Sequence, residues 1–362
     1  MKVGTWVGVE PAVASGWWRN VPAAARRADE LGYDFVSCDE SQHDSMLTMT
    51  LAAANSERVE LQTAVTVAFP RSPMILAMQA WDLQQLSKGR FILGLGCSVK
   101  DDNERRFGLA WSPPAPRMKE YIQCLHAIWD TFQNSTEPNF SGKHYRFELM
   151  PDGFNPGPSD FPRPKVFLAA IGDAMGRVAG EVADGVIFGG FMTEKYLREV
   201  YLENVKVGLE RAGRTWNDIE IPGGPVSVFD DSESETQDAA LGHAARLITN
   251  AFSISPYFVT VRDKIFELHG WHELAERLHA LAAEGEHEEM QRILPEEVIR
   301  AFIPLTVTPD RLSETLSKHR EFARRIHFSM PTGTPAERER FQHILNEIQG
   351  IETSGVPAGL GL

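Results

Sequence analysis

A closed (β/α)8 barrel is the fold this sequence predicts, and three observations carry the prediction. Apolar, β-branched runs alternate with longer segments of helical period along the chain, and eight such strand-and-helix units can be counted. Strands joined by helical crossovers must run parallel, because each right-handed crossover lays its helix on the sheet. Eight parallel units in one chain favour a sheet that closes on itself.

The first strand is read at Val3 to Val9, followed by a helix at Val21 to Leu31 in which Val21, Ala24, Ala25, Ala28 and Leu31 share one face. Next come a strand at Asp34 to Cys38, a helix at Met46 to Ala54, a strand at Val59 to Val67, a helix at Pro73 to Leu86 and a strand at Phe91 to Leu95. The alternation resumes after Pro164 with a strand at Lys165 to Ile171, a helix at Ala174 to Val182, a strand at Asp184 to Gly190 and a helix at Lys195 to Ala212. A strand at Glu220 to Phe229 and a helix near Glu235 to Ala251 follow, and AFIPLTV, Ala301 to Val307, reads as the eighth strand before a last helix.

Two segments fall outside this repeat. Pro138, Pro151, Pro156, Pro158, Pro162 and Pro164 mark a long loop or small hairpin excursion, and the polar stretch between Ser255 and Arg300 reads as a helical insertion. The organisation is therefore one domain over residues 1–350 with insertions at about 134–164 and 255–300, then a flexible tail at 351–362 that lacks periodicity.

Composition narrows the function. An apolar fraction of 43% suits a large globular core, and a formal charge of −14 argues against a phosphate-backbone binder, which needs clustered Lys and Arg. No apolar run approaches the roughly 18 to 20 residues that span a bilayer, and no secretory leader pattern opens the chain, so a cytoplasmic protein is expected. Cys38, Cys97 and Cys124 are too few and too irregularly spaced for a disulfide framework.

In a barrel of this type the reacting groups come from the C-terminal ends of strands and the loops after them. Those loops are CDESQHD at Cys38 to Asp44, TVAFPRS after the third strand, GCSVKDDNERRFG after the fourth and AAIGDAMG after the fifth. The Gly94-Leu95-Gly96 turn would let a ligand approach the backbone closely, or serve a tight barrel turn. Gly172 opens a helix whose free N–H groups and dipole attract phosphate, or is a plain strand-to-helix turn. His43 at a barrel mouth suits proton transfer near neutral pH. Lys100, Arg105 and Arg106 are candidates for an anionic tail or for solvated charge, and Cys97 lacks an activating base. His269 with His272, and the Glu286 to Glu289 run, have metal-like spacing without a third clear ligand, so no metal is expected. Trp17, Trp18, Trp111 and Phe69 lie near strand ends, as pocket lining or as packing.

The block FPRSPMILAMQAWDLQQLSKGRFILGLG, together with AAIGDAMGRVAGEVADGVIFGG and ERRFG at Glu104 to Gly108, resembles the bacterial-luciferase-like monooxygenase superfamily of flavin and deazaflavin enzymes, in its F420-dependent oxidoreductase branch. The resemblance implies a bulge at the end of the third strand with a non-prolyl cis peptide at Ala64-Val65 against the cofactor ring, and a phosphate loop at Ala170, Ile171 and Gly172. It places Asp39, Glu40, Gly96, Cys97 and Ser98 among the cofactor-binding positions, and His43 and Glu104 as the catalytic pair. The sequence departs from many relatives in separating Asp39 and Glu40 from His43 by Ser41 and Gln42, which leaves the proton donor open. The implied activity is hydride transfer between coenzyme F420 and a small organic substrate by a homodimer. The alternative is a monooxygenase using reduced FMN and O2, supplied by a flavin reductase. A cofactor-binding protein without turnover is the reading from another class; a barrel lyase or aldolase would need a strand-end lysine, and none stands out.

Overall fold

The computed structural model describes residues 1–8, 16–187, 192–228, 241–242, 245–246, 248–250, 252, 256–302, 306–307, 312–319, 321–330 and 332–361. Eight parallel strands form a (β/α)8 barrel: β1 (Lys2–Trp6), β2 (Phe35–Cys38), β3 (Glu60–Thr63), β4 (Phe91–Gly96), β5 (Lys165–Ala169), β6 (Gly185–Ile187), β7 (Pro222–Val228) and β8 (Arg325–Phe328). Pairing runs β7-β8-β1-β2-β3-β4-β5-β6. Closure comes where Glu220, just before β7, donates its N–H to Asp184 and accepts from Val186, both at 3.0 Å.

Two readings of the sequence need correction. Ala301 to Val307 is not the eighth barrel strand: Ala301 and Phe302 end the helix Glu296–Phe302, and only Thr306–Val307 is extended, pairing outside the ring with Ser227 and Val228 of β7. The strand that closes the barrel is β8, which pairs with β1 on one side and β7 on the other. The continuous strand read over Val59 to Val67 is also broken. After Thr63 the chain turns through Ala64 and Val65, and Thr66–Val67 then pairs with Leu95 and Gly96. The helix expected near Glu235 to Ala251 falls largely outside the described residues, as does the end of the strand expected to reach Gly190.

The outer helices that matter for the site are α1 (Trp17–Leu31), α2 (Ser45–Ala53), α3 (Pro73–Leu86), α4 (Pro114–Asn134) and α5 (Asp173–Val182). Local chemistry sets their ends. Asp44 caps α2 by accepting from Leu47 N, Ser72 caps α3 by accepting from Ile75 N with Pro73 in the first turn, and Gly32 ends α1 in the left-handed region at φ 86°. The L-S-x-G-R segment is the turn from α3 into β4: Gly89 has φ 83°, and the Arg90 guanidinium donates to the carbonyls of Ser56, Val59 and Ser87. It lies at the N-terminal face of the barrel, where such a pattern serves stability.

The interior at that same face is ionic. Arg325 is 1% exposed, and its guanidinium meets Glu220, Gln62 (2.8 Å) and Glu60 (3.1 Å), while Lys2 reaches Glu60 from outside at 2.5 Å. The rings of Phe35 and Phe167 lie 4.7 and 4.9 Å from the Arg325 guanidinium carbon. A buried charge is tolerated only when paired and hydrogen-bonded, and here every arm of the fork has a partner.

The proline-rich excursion contains a two-stranded antiparallel hairpin, Phe140–Ser141 with Arg146–Phe147. The second insertion is helical, with Pro256–His269, His272–Glu284, His287–Ile293 and Glu296–Phe302. The tail expected to fray instead has partners. Trp216 donates its indole N–H to the Leu360 carbonyl at 2.6 Å, and Ser354 N donates to Glu321 O at 2.9 Å. Among the described residues no helix is long and apolar enough to cross a membrane.

Candidate active site

The C-terminal ends of the strands open on one face, and the sequence places its candidates around that mouth. At the end of β3 the peptide bond Ala64-Val65 is cis, at the position the family resemblance assigns to it. The glycines of β4 are required by this turn. A Cβ on Gly94 would lie 1.7 Å from the Thr63 carbonyl oxygen, and one on Gly96 would lie 2.6 Å from a Val65 methyl. Thr63 locks the approach by exchanging hydrogen bonds with Gly94, its hydroxyl accepting from Gly94 N and donating to Gly94 O, both at 2.9 Å.

The loop after β2 carries Asp39, Glu40 and His43. Glu40 spends its carboxylate on protein: it accepts from Ser45 Oγ (2.9 Å) and Val67 N (3.0 Å) and pairs with Arg71 at 2.7 Å. Arg71 also pairs with Asp44 at 2.7 Å and donates to Val67 O. The Arg of the F-P-R-S-P break therefore clamps the loops after β2 and β3 together. His43 is half-buried, its imidazole stacked on the Trp17 indole with centroids 4.6 Å apart and planes 21° from parallel. Phe69 is buried under the Arg117 guanidinium and does not line the mouth.

After β4, Ser98 has φ 54° and donates to Asp102 at 2.7 Å, leading into a π-helical turn, Asp102–Arg106. Burial pushes the Cys97 thiol up to about 11, so it remains a thiol at neutral pH and packs as a small residue. Arg106 donates to Ser41 O at 3.1 Å, which brings this turn beside the His43 loop. Glu104 is exposed on the turn. Its neighbour Asn103 is buried at 1% exposure and donates to Cys97 O (2.9 Å) and Val99 O (2.8 Å), yet its carbonyl oxygen has no partner among the described residues. Sequence reasoning chose Glu104 and missed Asn103, because adjacent residues on a helical turn face different ways.

At β5 the chain passes through Ala170 and Ile171 to Gly172, the N-cap of α5, which offers no side chain to its first turn. Asp173 accepts from Lys264 of the helical insertion at 2.7 Å, while its second oxygen is buried without a partner. Tyr196 donates to Ile171 O at 3.4 Å, and burial beside Asp173 pushes that phenol up to about 12. Next to it a cleft of about 480 Å³ is lined by Thr193, Lys195, Glu199, His269 and Ala301. His269 shares a hydrogen bond with Thr193 Oγ1 at 2.9 Å and stacks on Trp271. Among the described residues no three His, Cys, Asp or Glu side chains gather into a metal site.

Inside the mouth lies a group that sequence reasoning missed entirely, because it sits on β8. The His327 imidazole stacks on Trp6 (4.7 Å, 17°), meets the Phe35 ring edge-on (5.0 Å, 81°) and shares a 2.9 Å hydrogen bond with Ser37 Oγ. Burial, with Arg325 beneath, holds this imidazole down at about 3, so it is neutral at physiological pH.

The unpartnered Asn103 and Asp173 oxygens, the bare first turn of α5 and the turn at Ala64-Val65 fit a mouth that receives a polar, ring-bearing ligand. Comparison with known proteins agrees with the fold. A relative in Mycobacterium tuberculosis, itself uncharacterized, is 38% identical over 279 residues, covering 77% of this chain and 80% of that one. An F420-dependent glucose-6-phosphate dehydrogenase of Nakamurella multipartita is 28% identical over 235 residues, 61% of this chain and 67% of that one. The solved structure of the coenzyme F420-dependent tetrahydromethanopterin reductase from Methanopyrus kandleri superposes with a TM-score of 0.69 at 19% identity, covering 96% of this chain and 98% of that one. The model of the luciferase-like monooxygenases matches residues 1–324, and with strands, mouth and bulge all in place the chain belongs to that family.

Proposed function

We propose that the protein is an oxidoreductase that transfers a hydride between coenzyme F420 and a small organic substrate bearing a C=C, C=N or carbonyl/alcohol group. The observation that carries this reading is the convergence, on one barrel face, of the turn at Ala64-Val65 with the uncapped start of α5 at Gly172 in a chain of this family. A bound F420 supplies or accepts the hydride. Ala64, Val65, Gly96, Cys97 and Ser98 line the ring's side of the mouth, Asp39 and Glu40 border it, and the loop Ala170, Ile171 and Gly172 receives the phosphate at the start of α5, through N–H groups beyond Ala170, whose own N–H is donated to Ile187 O.

Hydride addition to a polarised double bond leaves the neighbouring atom needing a proton, and oxidation of an alcohol releases one. His43 gives or takes that proton, with Trp17 fixing the plane of its ring. Glu104, exposed and on the turn beside the His43 loop, is the second candidate.

The family's description as monooxygenases supports a second reading, in which reduced FMN and O2 take the place of F420 and a flavin reductase is the partner. Binding of a cofactor without turnover is the third, indicated if His43→Ala changes no reaction. A cytoplasmic homodimer is part of the proposal. Leu47 of α2 and Ile75 and Met78 of α3 are 60%, 52% and 44% exposed on adjacent helices, large apolar side chains of the kind that meet a second copy. Light scattering tests it, a monomer being the contrary result.

The deciding experiment is a fluorescence titration of the purified protein with F420 and FMN, each oxidised and reduced. Tight F420 and weak FMN binding is expected. Preference for reduced FMN turns the reading to oxygen chemistry, and binding of neither removes it.

A further inference from the structure

We propose that His327 is the hydrogen-bond partner of the substrate's reacting oxygen or nitrogen, and that Trp6 is the surface on which a flat, uncharged carbonyl or imine substrate lies. The assignment rests on the oxidoreductase reading and names its substrate class.

Strand alternation places these groups. On β8, Ile326 and Phe328 pack outward in the core, so Arg325 and His327 face the barrel axis. Register pairs Gly4 with both His327 and Phe35 and, two residues on, Trp6 with Ser37, so Trp6 and Ser37 stand one step nearer the mouth than His327 and reach it by stacking and hydrogen bond, and all three stand nearer the mouth than Arg325, which pairs with Lys2. Gly4 is bare because the Phe35 ring fills the space a Cβ would need, at 2.2 Å. That ring in turn presses its edge on His327.

The imidazole is thus held on three sides, by an indole face, a phenyl edge and a hydroxyl. Nε2 is committed to Ser37, whose side chain is fully buried. Nδ1 has no hydrogen-bond partner among the described residues and is not fully enclosed. A ring this tightly fixed with one nitrogen left over is what positioned hydrogen bonding requires. Trp6, although it points into the barrel and is partly covered by the His327 imidazole, is 40% exposed, so the rest of its indole is left for a ligand lying beside that imidazole.

The surroundings select an uncharged ligand. Trp6, Phe35 and Ser37 carry no charge, and the nearest cation on the strand, Arg325, is consumed by Glu220, Glu60 and Gln62. A carboxylate or phosphate at Nδ1 would find no free cation among these groups, whereas a carbonyl oxygen or imine nitrogen needs only the N–H of a neutral imidazole. His43, at the rim on Trp17, is left for proton exchange with solvent.

The test uses 2-cyclohexen-1-one, an uncharged enone, as probe. It is titrated into protein labelled with 15N-histidine, alone and saturated with F420, and the His327 ring resonances are identified by their loss in His327→Gln. The enone is expected to shift the His327 resonances and leave in place those of His126, which lies on the outer helix α4. His327→Ala should weaken enone binding at least tenfold while F420 affinity stays within twofold, and His327→Gln, which restores an N–H, should recover part of the loss. Trp6→Ala should weaken the enone and Trp6→Phe retain it. Absence of any His327 shift with and without F420, or an enone affinity unchanged from the unsubstituted protein in either His327→Ala or Trp6→Ala, overturns the proposal. Failure of F420 to bind while the enone still shifts His327 overturns the cofactor reading and leaves this assignment standing.

Discussion

The two ends of the barrel interior treat their polar groups in opposite ways. At the N-terminal end Arg325, Glu220, Gln62, Glu60 and Lys2 satisfy one another, and the fork of the guanidinium has no arm to spare. At the mouth, capacity is left over: the Asn103 carbonyl, one Asp173 oxygen, a His327 nitrogen and the first N–H groups of α5. Arg325 and His327 are two residues apart on one strand. The contrast separates an end whose polar groups are spent on one another from an end whose polar groups are left open.

Breaking the closed end should cost most. Arg325→Ala leaves Glu220 buried without its partner, and removal of one member of such a pair costs about 3 to 5 kcal/mol. A large drop in the urea midpoint is expected, and a change within error would mean the network is slack. Gly94→Ala comes next, since its methyl would meet the backbone oxygen of Thr63; a loss of about 3 kcal/mol is expected for such overpacking, read by thermal melting, with Gly96→Ala milder because only a Val65 methyl must move.

Acid acts by a different lever, through His327 at the mouth and His126 on α4. Burial first, then nearby arginines, depress His126 to about 4 and His327 to about 3 from an ordinary 6.5. The folded state therefore binds fewer protons than the unfolded one. Their contribution is intact above pH 6.5 and is lost as pH falls through the window toward 4 and 3, by at most about 1.4 kcal/mol per pH unit for each group. Melting temperatures at pH 7 and pH 5 should converge in the His126→Gln, His327→Gln double variant; an unchanged gap would show that the imidazoles are not the cause. The smallest effect belongs to exposed Glu104. Glu104→Gln should move stability by less than about 0.5 kcal/mol, so that any loss of hydride transfer in that variant is chemical.

The same contrast explains what was legible in the sequence. Strands such as FVSC and FILGLG show their apolar outward faces plainly, and the capping residues Asp44 and Ser72 mark helix starts. Strand β8 reads RIHF: its inward positions hold an ion-network arginine and a mouth histidine, so the pattern that marks a buried strand is spoiled by the groups that matter most. AFIPLTV, with more apolar residues, reads more strongly as a strand. The Gly-Leu-Gly turn is legible in the sequence, but its cause, the Thr63 carbonyl and the Val65 side chain, comes from the neighbouring strand end and exists only in three dimensions. Glu40 illustrates the converse. Its carboxylate looked free for a ligand until Arg71, Ser45 and Val67 N came within reach.

The plug of Arg325, Glu220 and Gln62 makes the barrel a cup and not a pipe. Among the described residues this network closes the N-terminal end of the axis, so whatever enters by the mouth must leave by it. Substrate and product then queue for a single doorway, so product should inhibit competitively against substrate, and turnover should slow with solvent viscosity once the chemical step outpaces traffic through that opening.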